Sequence, residues 1–168
     1  MGPLGIMIVW ILLGQNSISE TEKRSPQFKD YPAREVYRGK PAPPNIITKK
    51  SREYRTMIRE GASSKVQFAG HYTVPIWGCG TDCMEFAIVD SISGKVYDEF
   101  WLSGLPGAWW KDHQSDDDER MRYLPDSRLL KIQGCPRDHD CGFYYYEIVD
   151  GEGLRLIWKR LLPKQYQP

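Results

Sequence analysis

The sequence predicts an α+β domain, mainly antiparallel β, with one N-terminal amphipathic helix packed on a meander-like sheet of about six strands. Three observations predict it. Only residues 48–60 combine helical spacing of apolar side chains with a capping residue. From Val66 onward, β-branched and aromatic runs alternate with Gly, Pro, Asp and Ser punctuation. Ten Tyr, 6 Trp and 5 Phe supply a large apolar area for a small core. The length of 168 residues allows one domain, and 40% hydrophobic with 27% charged residues favours folding over disorder. A net charge of +1 excludes a broadly basic nucleic-acid binder, and composition excludes a polytopic membrane protein, a collagen-like fibre and a coiled coil.

Residues 1–17 carry no charged side chain and contain the apolar run LGIMIVWILL, residues 4–13. Ten residues span about 15 Å as a helix, half of a ~30 Å hydrocarbon core. That length fits the apolar region of a secretory signal, although no Lys or Arg precedes it and no small-x-small site follows cleanly. An N-terminal strand or buried helix is the alternative. The expected organisation is a signal peptide over 1–17, an extended polar, Pro-rich lead-in over 18–47, and one disulfide-braced domain over 48–162. The expected localisation is periplasmic or secreted, with no integral membrane segment once the signal is removed.

In the lead-in, Pro26, Pro32, Pro41, Pro43 and Pro44 enforce extension, and Phe28, Tyr31, Val36 and Tyr37 can hold it against the domain. Thr48 caps a helix that runs to Arg59 or Glu60, with Gly61 as its stop. Tyr54, Met57 and Ile58 form its apolar stripe, while Arg52, Arg55 and Arg59 lie opposite. Residues 66–77 alternate as a strand, with Phe68, Tyr72, Val74 and Ile76 on one face and His71, Thr73 and Trp77 on the other. MEFAIVD (84–90) and KVYDEFWL (95–102) flank Ser91-Ile92-Ser93-Gly94 as a hairpin. RLLKIQG (128–134) is a further strand. FYYYEIVD (143–150) and LRLIWKRLL (154–162) flank Gly151-Glu152-Gly153 as a second hairpin. Residues 103–121 read as a long loop that joins Leu105, Trp109 and Trp110 to the acidic run Asp116, Asp117, Asp118 and Glu119.

The four cysteines lie in GCGTDC (Cys79, Cys83) and GCPRDHDC (Cys135, Cys141). In an exported chain this even count reads as two disulfides. Gly78, Gly80 and Pro136 favour the local pairs Cys79–Cys83 and Cys135–Cys141, and cross-pairing stays open. The C-x3-C and C-x5-C spacings are not those of a zinc site. The acidic run with Asp112 lacks the spacing of a calcium loop, and Asp138, His139 and Asp140 read as a polar closed loop. Gly78, Gly80 and Thr81 read as a braced turn rather than an anion cradle, since no phosphate-loop pattern occurs. No cofactor and no metal are expected. A Cys–His pair of Cys79 or Cys83 with His71 is the one constellation with catalytic ingredients.

Charge is divided unevenly. Residues 1–65 hold 12 Lys+Arg against 6 Asp+Glu, and residues 66–168 hold 11 against 16. The basic helix beside an acidic sheet compensates this internally; a charged partner steered to one side is the other reading.

FAGHY (68–72), WGCGTDC (77–83), SGKVY (93–97) and LPDSRLLKIQGC (124–135) together resemble a family of uncharacterised bacterial exported proteins. Weaker similarity extends to FKDYP (28–32) and the YYY strand. The resemblance implies export and a compact domain, and it carries over no catalytic residue. Residues 103–121 are longer than the family pattern. Read as a whole, the sequence points to a periplasmic or secreted binding module of inhibitor or immunity type. Its partner would be an envelope protein or glycan, not a nucleic acid. The expected binding residues are Trp77, Trp109, Trp110 and His71, because Trp anchors interfaces. An envelope thiol hydrolase or transferase is the alternative, and a structural envelope protein the third.

Overall fold

The computed structural model describes residues 24–112, 119–136 and 140–168. Segments 1–17, 113–118 and 137–139 therefore leave the signal-type run, Asp116–Asp118, Asp138 and His139 outside the described residues.

The fold is mainly antiparallel β with few helices. Among the described residues eight strands are formed rather than about six: β1 (Tyr72–Thr73), β2 (Ile76–Gly80), β3 (Cys83–Asp90), β4 (Val96–Ser103), β5 (Met121–Leu124), β6 (Ser127–Pro136), β7 (Gly142–Val149) and β8 (Gly153–Leu161). The sheet order is β1-β3-β4-β6-β7-β8, with β2 also paired to β3 and β5 to β6. All pairs are antiparallel, and both expected hairpins are present. The two additional strands arise at particular residues. Val74-Pro75 divides 66–77 into β1 and β2, because proline lacks the N–H a continuous strand needs. Met121–Leu124, which begins at the last residue of the expected loop, pairs with β6 through the Pro125-Asp126 turn.

Strands β4 and β6 meet through only Leu102↔Pro136 and Ser103↔Cys135. The sheet therefore has two halves joined at a narrow seam, and they share one core. Phe86, Ile88 and Leu102 from the first half pack with Leu130, Ile132, Tyr144 and Ile148 from the second, together with Phe68 and Tyr72. Burying each of these aliphatic or Phe side chains contributes about 1.5–3 kcal/mol. Alternation places Ala87 and Val89 on the other face of β3, where Ile58, Ala62 and Trp77 cover them. Strand β3 is thus buried on both faces, which is why FAIV reads as a continuous apolar run.

The expected helix forms in two pieces, α1 (Lys49–Glu53) and α2 (Arg55–Ala62). Thr48 caps α1 as expected: its hydroxyl accepts from the Ser51 N–H at 2.9 Å and donates to buried Asp98 on β4. The break falls at Tyr54, whose ring stacks on Trp77 with centroids 4.9 Å apart. The inward stripe is half-buried Tyr54 with buried Ile58 and Ala62, and Met57 is exposed. Gly61 is not the stop. It lies inside α2, where a Cβ would approach Pro75 to 2.6 Å, so glycine permits close helix–loop contact there.

Residues 24–47 are tied to the domain by backbone pairing. Ala33 N–H donates to the Asp126 carbonyl, Ala42 N–H to Ser91 and Asn45 N–H to Gly94, each at 2.8 Å. At the other terminus, Tyr166 is buried and the Gln167 side chain bonds to Cys141 and Leu162, so packing continues past residue 162.

Both local disulfides are formed: Cys79–Cys83 and Cys135–Cys141. Their environments differ. Cys135 and Cys141 are buried with Leu105, Leu162 and Tyr166, whereas Cys79 is exposed at the tip of the β2–β3 hairpin. Thiol–disulfide exchange requires access to a sulfur. Limiting phosphine reductant on the folded protein is expected to open Cys79–Cys83 well before Cys135–Cys141, read by alkylation and peptide mass mapping. The reverse order would contradict this packing.

Candidate functional site

The FAGHY residues form a tight turn, not a continuous strand. Tyr72 N–H donates to the Phe68 carbonyl at 2.9 Å, and Phe68 N–H returns a bond at 3.0 Å. Between them the backbone is left-handed at Ala69 (φ 49°) and Gly70 (φ 84°). For alanine that conformation costs about 1–2 kcal/mol, and such strain concentrates at functional sites. Surrounding elements hold it in place. Gly70 N–H donates to the Pro125 carbonyl at 2.6 Å, and Tyr37 N–H from the lead-in donates to the Gly70 carbonyl at 2.7 Å. Ser91 N–H donates to the His71 carbonyl at 2.8 Å. A Cβ on Gly70 would meet the Arg34 and Glu35 carbonyls at 3.3 Å, so glycine also admits the lead-in strand above it.

This clamped turn presents His71. Its ring lies 4.2 Å from that of Tyr72, and Nε2 stands 3.6 Å from Asp150 and 3.9 Å from Asp90. Both distances exceed hydrogen-bond length, yet they leave the imidazole between two carboxylates. Asp90 is fixed by the Ile92 N–H at 2.8 Å and the Ser93 hydroxyl at 2.5 Å. Asp150 accepts the Tyr72 hydroxyl at 3.0 Å. Burial, then that bond to Asp150, pushes the Tyr72 phenol far above its ordinary range, so it keeps its proton and donates it to Asp150. The side chain of His71 is 21% exposed and that of Asp150 is 66% exposed, which leaves the site reachable from solvent.

Around these residues runs a groove of about 550 Å³. Arg34, Glu35, Tyr37 and Arg38 of the lead-in line it, together with Asp90, Ile92, Asp150 and Gly151 of the two hairpin turns. Lys95 Nζ donates to the Gly151 carbonyl and ties those turns together. Both carboxylates stand at a strand's C-terminal end in the same sequence context: Asp90 is the last residue of β3 in Ile88-Val89-Asp90, and Asp150 follows β7 in Ile148-Val149-Asp150. In each, the isoleucine enters the shared core and the aspartate stands at the turn. Reading His71 alone missed these partners, and the repeated Ile-Val-Asp before a glycine turn is the signal that could have found them. The groove offers cations, carboxylates, an imidazole and apolar ring area within one concavity. No cluster of three or more His, Cys, Asp or Glu suited to a metal occurs among the described residues.

The other expected site residues lie elsewhere. Trp77 is 7% exposed, and its Nε1–H donates to Glu85 at 2.8 Å. Burial pushes the Glu85 carboxyl up, but Lys50, the Trp77 N–H and Tyr54 together hold it below its ordinary value. Trp77 is therefore a core residue with a satisfied polar handle and not a surface anchor. Trp109 lies on α3 (Gly107–Asp112), a helix within the expected loop, and packs edge-on against Phe143 at 6.2 Å and Tyr166 at 5.3 Å. The side chain of Trp110 lies outside the described residues.

The Cys–His pairing is overturned by position. His71 lies beside Asp90 at one end of β3, and Cys83 begins β3 at the other. Seven steps of about 3.3 Å separate those ends by roughly 20 Å. Cys79 and Cys83 are also bonded to each other, and no cysteine is free. No family model, curated protein or solved structure matches this chain.

Proposed function

We propose that the protein is an extracytoplasmic binding module of inhibitor or immunity type, with the His71 groove as its recognition site. The carrying observation is the strained Ala69-Gly70 turn, which elements distant in sequence clamp so that His71 stands between Asp90 and Asp150. The groove volume of about 550 Å³ falls within the ~300–1,000 Å³ typical of ligand sites. Arginines, carboxylates and an imidazole within one groove suit a dipolar ligand, and a peptide segment of an envelope partner fits that description. Two disulfides are compatible with an oxidising compartment. Among the described residues, no helix is long and apolar enough to cross a membrane.

Panning displayed random peptides on the wild-type protein tests this reading. Selected peptides are expected to lose at least tenfold in affinity for a His71→Ala/Asp150→Asn variant, and to bind Trp109→Phe unchanged. Selected ligands indifferent to His71 and Asp150 would overturn it.

A further inference from the structure

The two disulfides stand at the same end of the sheet. Register places Cys83 opposite Ser103 and Ser103 opposite Cys135, so one cross-strand row holds a cysteine of each. Their access differs. Cys135–Cys141 is packed among Leu105, Leu162 and Tyr166. Cys79 is exposed and Cys83 half-buried, and neither belongs to a core cluster of the described residues.

Contacts other than the sulfurs hold the hairpin tip around Cys79. Gly78 pairs with Met84 on one side of it and Gly80 with Cys83 on the other. At the turn, the Asp82 carbonyl accepts the Gly104 N–H at 2.9 Å, and its carboxylate accepts the Arg120 guanidinium. These contacts keep the two cysteines facing each other when the S–S bond opens. The cysteines are only 4 residues apart in sequence, so the bond constrains the unfolded chain little. Accessible disulfides of this kind are the labile ones, whereas buried structural ones resist reduction.

We propose that Cys79–Cys83 is an exchangeable disulfide that accepts electrons from a dithiol protein. A thiolate of the partner attacks the exposed Cys79 Sγ. The Sγ–Sγ bond breaks, a mixed disulfide forms, and Cys83 leaves as a thiolate that takes up a proton. The partner's second thiolate then attacks the partner sulfur of the mixed disulfide and expels Cys79, which is protonated in turn. The partner dithiol is oxidised to a disulfide, and Cys79–Cys83 is reduced to a pair of thiols. Two features favour a protein over a small thiol. Among the described residues nothing lies within 4 Å of a Cβ built on Gly78 or Gly80, so a polypeptide can cross the tip on either side of Cys79. Strand β2 pairs only with β3 there, and Ile76, 45% exposed, stands on it shortly before Cys79. The outer edge of β2 thus offers peptide groups and an apolar contact to an extended segment that carries the attacking cysteine. The tip shares no residue with the His71 groove, so the two assignments stand or fall separately.

The test exposes the full oxidised chain to reduced thioredoxin as the dithiol protein and to dithiothreitol as the small dithiol, with alkylation and peptide mass mapping as the readout. Thioredoxin is expected to open Cys79–Cys83 at least tenfold faster than dithiothreitol, with Cys135–Cys141 intact and the near-ultraviolet dichroism of the fold unchanged. A thioredoxin variant without its second cysteine is expected to stay attached, and the adduct to map to Cys79. Gly78→Val fills the open side of the tip and is expected to slow thioredoxin at least tenfold and dithiothreitol less than twofold. Should that variant melt early, Ile76→Asp on the exposed edge gives the same comparison. An adduct on Cys135 or Cys141, loss of the fold on opening, or equal slowing of both reductants by these variants would each overturn the proposal. His71→Ala is expected to leave both rates unaltered.

Discussion

Replacing Trp77 with alanine is expected to lower the free energy of unfolding by about 3–5 kcal/mol, the usual cost of deleting a buried large aromatic side chain. The substitution removes the indole from between Tyr54 and the β3 face formed by Ala87 and Val89. It also takes away one donor from Glu85, which keeps Lys50 at 3.0 Å. Trp77→Phe preserves most of the ring packing and loses the Nε1–H bond, so its expected cost is nearer ~1 kcal/mol. Urea unfolding of the pair checks both values. An alanine variant as stable as the wild type would place Trp77 outside the core.

Gly134→Ala is expected to be similarly damaging, for a different reason. A Cβ at this position would lie 2.3 Å from the Ser103 carbonyl oxygen and 2.5 Å from Leu102 Cδ1. Real contacts are not found under 3.0 Å, and one obstacle here is backbone. The strands it would push apart are β4 and β6, whose pairing rests on two register contacts. Overpacking typically costs about 1–3 kcal/mol, and this site belongs at or above the upper end because the seam has no redundancy. Gly107→Ala is the control, since nothing lies within 4 Å of the added methyl. Equal melting temperatures for the two variants would contradict the seam.

Legibility in the sequence followed the locality of the forces. Both long hairpins were readable because Ser91–Gly94 and Gly151–Gly153 combine turn residues with flanking β-branched and aromatic runs. The Thr48 cap was readable because its partner, the Ser51 N–H, is three residues away. The two disulfides were favoured by short spacing and glycines, and local pairing is what forms. What failed depended on distant contacts. Ile76 and Trp77 do lie on opposite faces, but which of them is buried depends on distant packing: α2 covers Trp77, and Ile76 stays exposed. Strand β5 is only four residues long and derives its order from β6. Helix α3 has no strong local signal, and its Trp109 is held by Phe143 and Tyr166 from the far C-terminal region. The site was half legible. His71 stood out by residue type, whereas Asp90 and Asp150 approach it only once the two hairpin turns meet across the shared core.

That convergence also explains why a structure with braced hairpins needs an unusual turn at FAGHY. The left-handed turn bonds to Pro125, Tyr37 and Ser91 together, and the Tyr37 and Ser91 bonds hold the lead-in and the first hairpin turn beside the groove. Architecture and recognition are therefore linked at Gly70. The lead-in wall, with Arg34 and Arg38, depends on the absence of a side chain there.

The most direct test of the His71 groove is amide chemical-shift mapping of the protein saturated with a peptide selected on it. The expected perturbations cluster at Tyr37, Arg38, Gly70, His71, Ile92 and Gly151, with Trp109 and the C-terminal residues unmoved. Perturbations confined to Gly107–Trp109 and Tyr166, with the FAGHY turn silent, would contradict the assignment.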